Sequence, residues 1–63
     1  MKPKDKVTVY EDPLTQNIIE STDVELIQQL DTSGELEYWE VIFPDGGHVE
    51  RWILSEGFQK GQK

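Results

Sequence analysis

Trp39-Glu-Val-Ile-Phe-Pro-Asp-Gly-Gly-His-Val-Glu-Arg-Trp-Ile-Leu54 decides how this chain folds. Two runs rich in aromatic and β-branched residues flank Pro44-Asp45-Gly46-Gly47, a pattern that predicts a β-hairpin. With a two-residue turn at Asp45-Gly46, Phe43 opposes His48, Ile42 opposes Val49, Glu40 opposes Arg51, Trp39 opposes Trp52 and Tyr38 opposes Ile53. One face then carries Trp39, Val41, Phe43 and Trp52, and two paired indoles make it the natural core. The other carries Tyr38, Ile42, Val49 and Ile53 around a Glu40–Arg51 pair, and is less polar than a solvated face should be. A bulge at Gly46 or Gly47 would move the pairing by one residue and exchange the faces of one strand.

Working outward, Lys6 to Tyr10 alternates Val7 and Val9 against Thr8 and Tyr10, the period of a half-buried strand. Glu11-Asp12-Pro13 ends it, because proline gives no hydrogen to a ladder. Leu14 to Ser21 has no period and reads as a loop, held down by Ile18 and Ile19. Thr22 to Asp31 is ambiguous. Thr22 and Glu25 have capping-box spacing and Val24, Ile27 and Leu30 recur every third residue, which suits a helix. Val24, Leu26, Gln28 and Leu30 also alternate as in a strand. We read a strand, because an eight-residue helix is marginal and a small sheet gains more from another partner. Asp31 to Gly34 is a tight turn into a third strand, Glu35 to Phe43, and His48 to Ile53 is its partner. Leu54 to Phe58 would close with a short helical turn. Residues 1–63 thus form one domain, with an ordered body over 6–58 and flexible tails at 1–5 and 59–63.

A 63-residue chain without cysteine buries only about 60% of its unfolded surface and has no disulfide to hold it. A sheet, aromatic packing or a partner must supply the stability. Cysteine absence suits a reducing cytoplasm, no ordinary signal peptide is expected from Met1 to Lys6, and no apolar run in this sequence is long enough to cross a membrane as a helix. The chain has 13 acids against 6 lysines and arginines. From Glu11 to Glu56 twelve acids face Arg51 alone, a net charge of −11. Such a body repels a phosphate backbone, so direct nucleic-acid binding is disfavoured.

Val41-x-Phe43-x-Asp45-Gly46-Gly47-His48-Val49-Glu50-Arg51-Trp52 resembles the strand end, glycine turn and second strand of Tudor-like domains. Lys6-Val-Thr-Val-Tyr10 resembles the first strand of such SH3-like small barrels. The resemblance spans about three quarters of the chain and implies an all-β fold. That fold is a strongly bent five-stranded SH3-like barrel, usually a module for peptides, modified side chains or nucleic acid. Where Tudor readers of methylated residues commonly place a cage aromatic after the aspartate, this chain has Gly46. The fold is therefore carried over and the ligand is not, although Tyr10, Tyr38 and the tryptophans would suit cation–π contact.

Chemistry is sparsely represented. His48 is the single histidine. Glu50 could orient it, but Ser21, Ser33 and Ser55 read as turn or loop residues without a motif, so no nucleophile stands nearby. A metal would need His48 with Asp45 and Glu50, a spacing that favours nothing over surface charge. No catalytic residue, metal or cofactor is expected. The expected function is a small non-catalytic module making protein–protein contacts, self-association to a homodimer included. Its expected interface is Tyr38, Ile42, Val49 and Ile53 with Glu40 and Arg51. The alternative is an acidic mimic of nucleic acid that occupies the basic groove of a DNA- or RNA-handling protein.

Overall fold

The computed structural model describes residues 1–55. They form four antiparallel strands and no helix: β1 (Lys6–Tyr10), β2 (Ile19–Ser33), β3 (Leu36–Ile42) and β4 (His48–Leu54). The strands make one sheet in the order β1-β2-β3-β4: the expected all-β class, as a meander not closed into a barrel and with four strands among the described residues where a strongly bent five-stranded barrel was expected. The ambiguous segment from Thr22 to Asp31 is strand throughout. The terminal helical turn falls largely outside the described residues, and Leu54 itself belongs to β4.

β2 organises the molecule. Its early half pairs with β1, from Tyr10↔Ile19 to Lys6↔Glu25, and its later half pairs with β3, from Glu25↔Ile42 to Ser33↔Leu36. Register slips twice against each neighbour, leaving Glu20 and Ile27 among the residues without a partner. Each extra residue bends the strand and increases its twist. Asp23, in the break between Val7↔Val24 and Val9↔Ser21, has a φ of 54°. Aspartate tolerates this left-handed conformation better than most residues. The bending rolls the inner face into a cup, filled by Val9, Val24, Leu26, Trp39, Val41 and Ile53. Met1, Val7, Phe43 and Val49 pack against that cluster.

The expected loop over Leu14 to Ser21 is shorter than its sequence suggested, since strand begins at Ile19. Ile18 and Ile19 do not pin it down; they are 58% and 54% exposed. The turn is held instead by its backbone: Glu11 N–H donates to Ile18 C=O (2.9 Å) and Gln16 N–H to Asp12 C=O (2.8 Å). The Asp12 carboxylate accepts from Leu14 N–H at 3.0 Å, the local bond for which aspartate is favoured in turns. Residues 1–5, read as a tail, also bond to the sheet: Lys4 N–H donates to Leu26 C=O (2.7 Å) and Leu26 N–H to Asp5 C=O (2.9 Å).

The β3–β4 hairpin corrects the predicted register. Gly46 N–H donates to Phe43 C=O and Phe43 N–H to Gly47 C=O, with Gly46 at φ 92°. This is a tight turn followed by a glycine bulge, which absorbs one more residue than a two-residue turn. Tyr38 consequently opposes Trp52, Trp39 opposes Arg51, Glu40 opposes Glu50 and Val41 opposes Val49. The two indoles therefore never meet. Trp39 is buried in the cup at 2% exposure, and its Nε1–H donates to Glu37 Oε1 at 2.8 Å. Trp52 stands half-buried on the opposite face. Val49 and Ile53, expected outside, turn inward in its stead.

Candidate functional site

Backbone bonding decides which side chains crowd together on the outer face. Phe43 N–H to Gly47 C=O and Ser55 N–H to Glu35 C=O mark the odd-numbered β3 residues as the hydrogen-bonded positions. Tyr38↔Trp52 and Glu40↔Glu50 are then non-hydrogen-bonded pairs, whose side chains lie closer. The Tyr38 and Trp52 rings accordingly pack at 4.8 Å between centroids, tilted by 34°. The same closeness sets Glu40 and Glu50 side by side, and each takes a neutral donor. Gln28 Nε2–H donates to Glu40 Oε1 at 2.7 Å, and Tyr38 O–H to Glu50 Oε1 at 2.9 Å. That bond to a carboxylate raises the Tyr38 pKa above the usual phenol value.

The six residues expected to form an interface are divided by the corrected register. Tyr38, Glu40 and Ile42 remain on the outer face, while Val49, Arg51 and Ile53 belong to the inner one. Ile53, at 4% exposure, is core. Glu40 and Arg51 do not pair, because Arg51 is engaged by Glu20. Arg51 Nε–H and Nη2–H donate to Glu20 Oε1 and Oε2 at 2.9 and 2.8 Å, a bidentate ion pair. Nη1–H donates to Glu50 C=O at 2.9 Å, and the Phe43 ring centroid lies 5.5 Å from the guanidinium carbon. The guanidinium holds the Glu20 carboxyl below the usual carboxylate range, and Glu20 raises Arg51 in return. Sequence spacing hid this clasp, since Glu20 and Arg51 lie 31 residues apart and Glu20 sits at a register shift of β2 against β1.

Around the clasp lies a groove of about 480 Å³, walled by Tyr10 and Glu11 at the end of β1, Pro13, Glu20, Tyr38, and Glu50 to Trp52 of β4. A second hollow of about 280 Å³ is formed by Asp12, Pro13, Leu14, Ser33, Leu36 and Trp52. Pro13 and Trp52 belong to both, so they form a shared ridge. Three aromatic rings and a proline beside carboxylates make a surface for recognition, with apolar area for affinity and polar atoms for orientation. The aromatic alternation of β1 and β4 held a signal for Tyr10 and Trp52; nothing local announced Pro13 or Glu20.

His48 is exposed and borders a shallow hollow with Glu40, Val49 and Glu50. Ser21 and Ser33, read as turn residues, lie within β2. Among the described residues no three histidines, cysteines or acids are grouped to hold a metal ion. No helix among them is long and apolar enough to cross a membrane. Compared with protein-family models, curated proteins and solved structures, the chain matches none.

Proposed function

We propose that this chain is a small non-catalytic binding module that makes protein–protein contacts through the Tyr10–Tyr38–Trp52 groove. The observation that carries the reading is the groove itself: half-buried, mutually tilted rings packed at 4.8 Å and steadied by a phenol-to-carboxylate bond. A ring already fixed in place loses little freedom on binding, which favours it as an anchor. We assign the fold to the bent SH3-like type, Tudor-like in its hairpin, on the evidence of a long β2 shared between two partners. The Arg51–Glu20 clasp would then stand in for the ladder that closes a five-stranded barrel. A cytoplasmic setting fits a chain without cysteine.

The proposal is tested by selecting extended peptides from a displayed random library on immobilised protein, with sedimentation equilibrium run alongside. Selected peptides should lose binding to the Trp52→Ala and Tyr38→Ala variants. A chain that selects only peptides indifferent to both substitutions would remove the groove as the site. A concentration-dependent dimer broken by Trp52→Ala would identify the partner as a second copy.

A second reading, the acidic mimic of nucleic acid, draws on one observation. Glu40 and Glu50 are held directly opposite one another despite their like charge. Such pairing lowers stability, so its presence fits a surface whose carboxylates are arranged for a basic groove. Inhibition of a nucleic-acid enzyme that disappears on Glu40→Lys substitution would favour this reading over the first.

A further inference from the structure

We infer that the occupant of the groove is an extended peptide segment carrying an arginine or lysine close to an apolar residue. The cation sits against Glu11 and Glu50 beneath the rings, and the apolar side chain sits in the second hollow across the Pro13–Trp52 ridge. This rests on the reading that the groove takes a protein partner.

Charge selects the cation. Four ionised groups line the groove: Glu11, Glu20, Glu50 and Arg51. Arg51 and Glu20 cancel, because Nε and Nη2 both bind the Glu20 carboxylate and Nη1 is taken by the Glu50 carbonyl. Glu11 and Glu50 remain, both exposed. Glu50 is oriented by the Tyr38 hydroxyl on Oε1, while Oε2 accepts no hydrogen bond among the described residues. A carboxylate anchored at the Tyr38 hydroxyl, its second oxygen open among the described residues, in a groove also lined by Tyr10 and Trp52, suits a guanidinium or ammonium on both counts. An anionic partner meets uncompensated carboxylates instead.

Shape selects the extended segment. The two hollows share Pro13 and Trp52 and differ in chemistry, the first edged by three glutamates and the second containing Leu14 and Leu36. Leu14 is 50% exposed, so apolar area there is free to be covered. A helix would have to enter two hollows divided by a ridge, whereas an extended chain lies over the ridge and sends side chains down on either side. Residues two apart in such a chain point the same way, about 6.6 Å from each other.

The experiment uses the full chain and blocked synthetic peptides containing one arginine and one leucine, adjacent or separated by one or two alanines. Each has a partner with citrulline in place of arginine and another with alanine in place of leucine. Binding is read from tryptophan fluorescence and by calorimetry. At least one arginine peptide should bind about tenfold more tightly than its citrulline partner, an advantage that shrinks as salt rises. It should also bind about fivefold more tightly than its alanine partner. The Glu11→Gln, Glu50→Gln double variant should erase the arginine preference and keep the leucine preference. Both sites are exposed, and unchanged circular dichroism verifies the fold. If arginine and citrulline peptides bind equally and both depend on Trp52, the cation assignment fails while the groove stands. If no peptide binds in a Trp52-dependent way, both fail.

Discussion

Replacing each tryptophan separately with phenylalanine tests the hairpin register and with it the two faces of the sheet. A domain of this length has a total stability of roughly 3–9 kcal/mol, so a truncation such as Trp39→Ala, at about 3–5 kcal/mol, would leave little folded protein. Phenylalanine keeps a ring and gives a measurable change. At position 39 it removes part of a side chain that is 2% exposed among Val9, Val24, Leu26, Val41 and Ile53. That loss costs about 1 kcal/mol of buried apolar area. It also deletes the 2.8 Å bond from Nε1 to Glu37, a further cost of about 1 kcal/mol. Near the melting point the unfolding entropy is about 2.1 cal/mol/K per residue, so 2 kcal/mol corresponds to a fall of about 15 °C. Trp52→Phe keeps a ring against Tyr38 on a half-buried surface and should cost under about 0.7 kcal/mol, or about 5 °C. Thermal melting followed by far-ultraviolet dichroism measures both. Acrylamide, a neutral quencher unaffected by the acidic surface, should barely reach the indole left in Trp52→Phe and should readily quench the one left in Trp39→Phe. Equal melting shifts, or the opposite order of quenching, would refute the one-residue displacement of β4.

Four other outcomes follow. The Glu20 pKa is lowered in the folded protein, so the clasp stabilises above the unfolded value, about 4.3, and its contribution is lost as pH falls through the lower folded value. Urea denaturation should accordingly show Glu20→Gln less stable than the parent by about 0.5–1 kcal/mol at neutral pH, the gap closing in acid; a gap independent of pH contradicts the ion pair. Gly46→Ala forces an L-residue to φ 92° and should destabilise by about 1–2 kcal/mol in the same assay, whereas no change would mean a different turn. Relief of the Glu40–Glu50 repulsion should make Glu40→Gln more stable by a few tenths of a kcal/mol, and a loss in chemical denaturation would count against that pairing. Finally, spectrophotometric titration should find Tyr38 ionising at lower pH in Glu50→Gln than in the parent, because the bond that raises it is to a charged carboxylate; an unchanged titration denies the bond.

Period and turn chemistry carried much of the fold. Lys6 to Tyr10 alternates cleanly and is strand at those same limits, and Gly34 and Gly46 both take the positive φ that their turns require. Two features escaped for one reason. A bulge adds a residue without leaving a pattern, since the flanking residues keep their chemistry while their direction changes. Between Gly46 and Gly47 this turned Val49 and Ile53 inward and sent Trp52 out. In β2 it carried strand through Glu20, where no alternation exists to be read. The candidate site inherited the same blindness: its tyrosines and Trp52 lie in recognisable strands, but their meeting with Pro13 and Glu20 depends on how far the sheet rolls.

Because β2 serves β1 with one half and β3 with the other, both flanks of the described sheet are tied through a single strand. Loosening Val24 removes support from Val9 on one side and Val41 on the other, all three being in one buried cluster, so the two flanks should melt as a single cooperative unit. Amide hydrogens of the β1–β2 ladder and of the β2–β3 ladder should therefore exchange through one common event, at the same free energy, even though no ladder joins β1 to β3.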